Sequence, residues 1–284
     1  MVNFTDFLFF GIKREKFGRC FLLRSNSLAA GKILVKLPAN QKNRPKNYLN
    51  SKNKQNIMKL GVLFSGGKDS VSACYKAKEK HEIACLIAIN SENKESYMFH
   101  TPNIELVKLQ AQAMEIPLIE QKTAGIKEEE LEDLRLAIAK AKKQFNVEGI
   151  VTGAIESVYQ ATRIQKICDE LDLWCFNPLW QTDQLEHLDE LVKQCFKIII
   201  TGVFAEPFTK KWLGREIDDK SVKELAHLHK EFKINPAGEG GEFETLVTDG
   251  PDFKKRLEIK ESEVFYKNFN GLFKIKKAEL VDKK

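Results

Sequence analysis

The 284-residue chain lacks several features that would classify it at once. Its six cysteines (Cys20, Cys74, Cys85, Cys168, Cys175 and Cys195) include no C-x-x-C pair. That disfavours a zinc ribbon and a thioredoxin-like redox motif. Most lie in apolar or helical settings, which points to reduced, buried thiols in a cytoplasmic protein. No apolar run approaches the roughly 18 residues of a membrane helix; "DFLFFGI" and "IIITGVF" are far too short. A secretory leader is disfavoured because the basic stretch follows "FTDFLFFGI" rather than precedes it. There is no internal repeat and no glutaminase-like segment. Acids are scarce at one end only. Residues 1–57 hold twelve Lys and Arg against Asp6 and Glu15, a net of +10 in a chain of net +6, which leaves −4 for the rest. The acidic remainder has no general nucleic-acid footprint.

Within that basic end, "NQKNRPKNYLNSKNKQNI" is polar, rich in Asn and Lys, and without apolar periodicity, so it reads as disordered. Three accounts fit residues 1–57: a mis-assigned start with Met58 as the true beginning, a targeting segment, or a basic tail that docks on an acidic partner or RNA. The hydrophobic fraction of 43% is enough for a core.

From Met58 the pattern alternates. "KLGVLF" reads as a buried strand, followed by a helix capped by Asp69 or Ser70 with Val71, Cys74 and Ala77 on one face. Ile83–Asn90 is a second strand, "NIELVKLQAQAM" a helix, and "IPLIEQ" a third strand. A charged amphipathic helix over 127–146, the strand "VEGIVTGA" and the helix "YQATRIQKICDELDL" follow. This rhythm predicts an α/β fold with a parallel sheet covered on both faces. Beyond "CFNPLW" come the helix "HLDELVKQCF", the strand "KIIITGVF", an irregular stretch and the helix "SVKELAHLHKEF". The segment "PAGEGGEFETLVTDGP" reads as a glycine- and acid-rich loop. The expected division is a disordered 1–57, an ATP-binding domain at 58–177 and a smaller C-terminal substrate-binding domain at 178–284.

The first strand-to-helix turn is where such sheets hold nucleotides. Here it reads "KLGVLFSGGKDSV". A Walker P-loop counted from Gly61 needs Lys at 67 and Ser or Thr at 68, but the chain has Gly67 and Lys68, then Asp69. The glycines still permit a nest of N–H groups around an anion. Lys68 adds a point charge and Ser65 and Ser70 add hydroxyls, a set suited to pyrophosphate. Asp69 is excused by capping the helix or by ligating Mg²⁺ held by the phosphates.

The loop matches the S-G-G-x-D-S signature of the PP-loop (N-type) ATP pyrophosphatases at Ser65, Gly66, Gly67, Asp69 and Ser70. With "YMFHTPN", "GAIESVYQATRIQKICDELDL", "NPLW", "WLGREID" and "GEGGEFETLV" in order, the chain from about Met58 to Ala278 resembles the diphthine–ammonia ligase (diphthamide synthase) family. The resemblance implies an adenine-nucleotide α-hydrolase-like (HUP/PP-loop) domain with a smaller C-terminal α+β domain. It also implies an activity. ATP adenylates the carboxylate of diphthine on translation elongation factor 2, ammonia displaces AMP, and pyrophosphate is released. ATP and Mg²⁺ are the cofactors, with no membrane and no stable nucleic-acid partner. A tRNA-modifying PP-loop ligase or thiolase, or an adenine-nucleotide-binding protein without turnover, are the alternatives.

Candidate roles follow. Ser65, Gly66, Gly67, Lys68, Asp69, Ser70 and His100 would contact the nucleotide, with Asp69 also on the metal. Lys68, Asp69 and Arg163 would act in catalysis; a guanidinium offsets charge on the α-phosphate. Asn177, Trp180, Glu239, Glu242 and Glu244 would meet the substrate, the carboxylates attracting the quaternary ammonium of diphthine beside an aromatic such as Phe243 or Trp212.

Overall fold

A computed structural model describes residues 57–93, 102–126 and 129–283. Strand β1 (Lys59–Leu63) lies in the middle of a five-stranded parallel sheet. Its neighbours are β2 (Glu82–Ser91) and β4 (Gly149–Val151), and β3 (Leu118–Thr123) and β5 (Trp174–Phe176) form the edges, giving the order β3-β2-β1-β4-β5. The central strands are apolar because both faces are covered. Helices α1 (Lys68–Lys78) and α2 (Val107–Met114) bury Val71, Cys74, Ala77, Val107 and Ala111 on one face. Helices α3 (Glu129–Phe145) and α4 (Val158–Glu170) bury Leu134, Ile138, Ile164 and Ile167 on the other. The chain runs outward from β1 to β3 and returns to β4 beside β1. The order therefore reverses between β1 and β4, and the crevice at their carboxyl ends is the natural ligand position in such sheets.

A second, antiparallel sheet has the order β7-β6-β9-β8. It is built from β6 (Lys197–Val203), β7 (Phe243–Asp249), β8 (Lys255–Lys267) and β9 (Asn270–Asp282). Helices α5 (Gln184–Lys193) and α6 (Asp219–Phe232) accompany it. Both start on aspartate caps: Asp183 accepts from Leu185 and Glu186 N–H at 3.0 Å, and Asp218 forms a reciprocal box with Ser221. The two sheets share one core, in which Leu60, Val62 and Ala88 cluster with Ile198, Ile200, Phe243 and Val247.

Several expectations need correction. The α1 helix begins at Lys68, and its cap is Gly67 with no side-chain bond, so neither Asp69 nor Ser70 caps it. The Ser70 hydroxyl donates back to Gly67 O at 3.0 Å, and Asp69 points elsewhere. The "GEGGEFETLVTDGP" segment is a loop only in its first half. From Phe243 it is strand β7, antiparallel to β6, with Phe243, Thr245, Leu246 and Val247 buried. Strand β5 and the β8–β9 hairpin have no counterpart in the sequence reading. The hairpin's strands mix charges with apolar residues, and its turn is set by Asn268 and Phe269 at φ 48° and 58°, as tight hairpin turns require.

Candidate active site

The loop Ser65–Ser70 occupies the carboxyl end of β1, as the topology demands. Gly66 adopts φ +79°, and a Cβ there would collide with the Gln110 side-chain oxygen, so glycine is required twice over. On the other side Gly153, past the end of β4, lies so close that a Cβ would sit 2.8 Å from the Asp69 carbonyl carbon. Within the loop the Gly67 N–H donates to Ser65 Oγ at 3.4 Å, and the Ser65 hydroxyl donates to Ser70 Oγ at 3.3 Å. The positive end of α1 opens on the same place.

Strand β7 closes the loop from the far side. Val247 N–H donates to Gly66 O at 3.0 Å, and Lys68 N–H donates to Thr245 Oγ1 at 3.1 Å. The buried Gln110 amide ties both segments, donating to Gly66 O at 2.9 Å and Val247 O at 2.8 Å. Residues about 180 positions apart therefore share one hydrogen-bonded unit. Lys68 itself is only 4% exposed, unusual for a lysine, and is held by a pair. Its Nζ meets Asp69 Oδ2 at 2.7 Å and lies 5.7 Å from the Phe243 ring centroid. His187, fully buried on α5, places Nε2 3.1 Å from Asp69 Oδ1.

Electrostatics bind the acids of the glycine-rich segment to this loop. Burial raises the Glu244 carboxyl to about 7; Lys68 opposes that shift, while Asp69 and Glu239 add to it. Burial and then Asp69 also raise Glu239, against Lys68. Burial works to raise Asp69 as well, but Lys68 and His187 outweigh it and hold this carboxyl below its ordinary value. One carboxylate thus pairs with the ammonium and is held ionised, while the carboxyls of Glu239 and Glu244 are raised, Glu244 to about 7. Such contrasts concentrate at reactive sites.

Residues 58–174 match the family described as diphthamide synthase N-terminal domain, and residues 183–281 match the diphthamide synthase C-terminal domain. Together these cover more than half of the chain. It belongs to the diphthamide synthase family. Among relatives, the diphthine–ammonia ligase of Schizosaccharomyces pombe is 34% identical over 224 residues, 73% of this chain and 37% of that protein. The bovine diphthine–ammonia ligase is 33% identical over 230 residues, 73% of this chain and 85% of its own length. The chain therefore spans about a third of the yeast relative and most of the bovine one. A solved structure of a predicted subunit of tRNA methyltransferase from Methanocaldococcus jannaschii covers 69% of this chain and 98% of that one. At 20% identity and a TM-score of 0.36 it bears on nothing further.

In this member of the family the expected site residues separate. Ser65, Gly66, Gly67, Lys68, Asp69, Ser70, Glu239 and Glu244 converge. Glu242 does not join them: its Oε1 accepts from Asn235 N–H at 2.7 Å and its carbonyl accepts from Phe204 N–H at 2.8 Å, so it fastens the segment to its own lobe. Arg163 stacks on the Tyr159 ring at 3.5 Å, one turn back on α4. Glu156 precedes that helix and accepts from the Gln184 amide at 3.0 Å. Asn177 hydrogen-bonds Thr152, linking the ends of β5 and β4 at the crevice, and Trp180 closes the turn after it. Trp212 packs against Phe208 and under Arg215. His100 lies outside the described residues. Thr245, Gln110, Gly153 and His187 were not expected. Nothing in the sequence marks Gln110 or His187, each one of several polar residues in an amphipathic helix. Among the described residues no group of three or more His, Cys, Asp or Glu is arranged to hold a metal ion.

Proposed function

We propose that this chain is an ATP-dependent ligase that converts diphthine on translation elongation factor 2 to diphthamide. The observation that carries this reading is the seating of β7, with Glu244 and the preceding Glu239, on the phosphate loop of a family member. Ser65, Gly66, Gly67, Lys68 and Ser70 would hold the β- and γ-phosphates through N–H groups, hydroxyls and the ammonium. The substrate carboxylate oxygen attacks the α-phosphorus, and pyrophosphate leaves against the charge of Lys68. Ammonia then attacks the acyl carbon, the carbon–oxygen bond to AMP breaks, and Glu244 takes the proton lost from nitrogen; a carboxyl poised near neutrality suits that task.

Mg²⁺ would neutralise charge on the leaving pyrophosphate. Asp69 is the loop carboxylate able to share such an ion with the phosphates, which is how Mg²⁺ is commonly held. Its oxygens face Lys68 and His187, so it would meet the ion through lone pairs those two groups leave open. Asn177 and Trp180, just past the end of β5, would orient the substrate, and Arg163 on α4 would offset charge on the α-phosphate. Four buried free thiols, Cys74, Cys85, Cys168 and Cys175, suit a reducing compartment such as the cytoplasm. No helix of the described residues is long and apolar enough to cross a membrane.

Incubation with ATP, ammonium and diphthine-bearing elongation factor 2 tests the reading. The expected products are diphthamide and AMP in equal amounts. Release of ADP, or no amide, would overturn it.

A further inference from the structure

His187 has no place in the chemistry above, yet its burial calls for a reason. It is fully enclosed on α5, and among the described residues its side chain has Asp69 as its polar partner. An ionised carboxylate only accepts, so Nε2 carries the hydrogen and donates. The other ring nitrogen is buried without a hydrogen-bond partner among the described residues. A buried imidazole left half-satisfied costs stability. An apolar residue would fill the position at less cost, so the residue type is explained by what Nε2 does to Asp69.

The helix that carries His187 is fixed at three further points. One turn earlier, Gln184 accepts from Ala237 N–H at 3.2 Å and donates to Glu156 Oε2 at 3.0 Å. Glu156 N–H in turn donates to Glu239 Oε2 at 3.3 Å. One turn later, Glu190 pairs with Lys76 of α1 at 2.6 Å. Helix α5 is thus clamped to the phosphate-loop helix and to the segment bearing Glu239, and His187 lies between these clamps. Asp69 is gripped from two sides, by Lys68 on one oxygen and His187 on the other.

We propose that His187 is a positioning residue: it fixes the Asp69 carboxylate in the phosphate loop and keeps that carboxylate in place when Lys68 turns to bound phosphate. This rests on the ligase reading for its kinetic consequences, but the contact can be tested without it.

Kinetics of amidation would be measured for the wild type, His187→Leu, His187→Gln, Asp69→Asn and the Asp69→Asn/His187→Leu pair. Leucine fills the space without donating, whereas the glutamine amide reaches the former Nε2 position. His187→Leu should lower kcat roughly ten- to a hundredfold, the scale set by small misplacements of a catalytic group, with KM for ATP little changed. His187→Gln should recover most of the loss. In the Asp69→Asn background the leucine should cost nothing further. Equal losses in the two single His187 variants, or losses that multiply with Asp69→Asn, would overturn the proposal. Long-range proton–nitrogen NMR spectra of the full chain supply a readout independent of turnover. The His187 imidazole should show one tautomer, protonated at Nε2, and its signals should shift in Asp69→Asn. Unmoved signals overturn the proposal, including where His187→Leu fails to fold. Shifted signals in a protein that makes no amide leave the contact standing and sink the ligase reading instead.

Discussion

At the scale of single residues, the site is a problem of one ammonium among three carboxylates. Lys68 pairs closely with Asp69, which leaves Glu239 and Glu244 in a half-buried, partly uncompensated position. Desolvation disfavours the charged form, so their carboxyls rise. The sign for stability follows. Glu244 binds its proton more tightly folded, at about 7, than in the unfolded chain, near 4.5. Above pH 7 the folded state must bury a charge, and that cost is relieved as pH falls from 7 toward 4.5. Glu244→Gln should therefore stabilise the protein at pH 8 by on the order of 2 kcal/mol and make little difference near pH 5. Chemical denaturation of both proteins at the two pH values would check it; a gain that is equal at both would contradict this account.

At the scale of elements, the strand–loop–helix unit β1–α1 is incomplete until β7 joins it. Gly66 is the point where three segments meet: its carbonyl accepts from Val247 N–H and from Gln110, and its α-carbon abuts the Gln110 side chain. Gly66→Ala faces both a left-handed backbone and a buried collision. The first costs about 1–2 kcal/mol and the second about 1–3 kcal/mol. Thermal unfolding should show Tm lowered by roughly 5–15 °C, at about 2–4 °C per kcal/mol for a domain of this size. A variant with unchanged Tm would mean that the loop relaxes freely and is not held by β7.

At the scale of the whole molecule, two sheets of opposite type share one apolar cluster, and a second lies under α3 and α4 on the other face of the parallel sheet. Helix α2 packs against both: Gln110 and Ala113 on it bond to Val247 and Lys254, and Asn103 just before it exchanges bonds with Phe273 and Ile275. Lobes joined through a shared core and buried hydrogen bonds unfold together. Scanning calorimetry should give one endotherm, with calorimetric and van 't Hoff enthalpies in agreement. Two resolved transitions would show that each lobe is stable alone.

The sequence by itself determined the parallel sheet, the phosphate loop at its first turn and the family. Each rests on local information: alternating apolar runs of strand and helix length, glycines at consecutive positions, and short motifs in fixed order. It did not separate β7 from the glycine-rich loop, because "FETLVTD" alternates only weakly and follows "GEGG". Nor did it suggest β8 and β9, whose charged exposed faces hide a strand period. Only the tertiary structure decided which of the three glutamates face the loop. Glu242 differs from Glu244 by its place relative to the start of β7, which turns the one toward its own lobe and the other toward Lys68. Gln110 and His187 belong to the same class. Their chemistry comes from what lies opposite them across a crevice, and a partner more than forty residues away leaves no trace in local spacing.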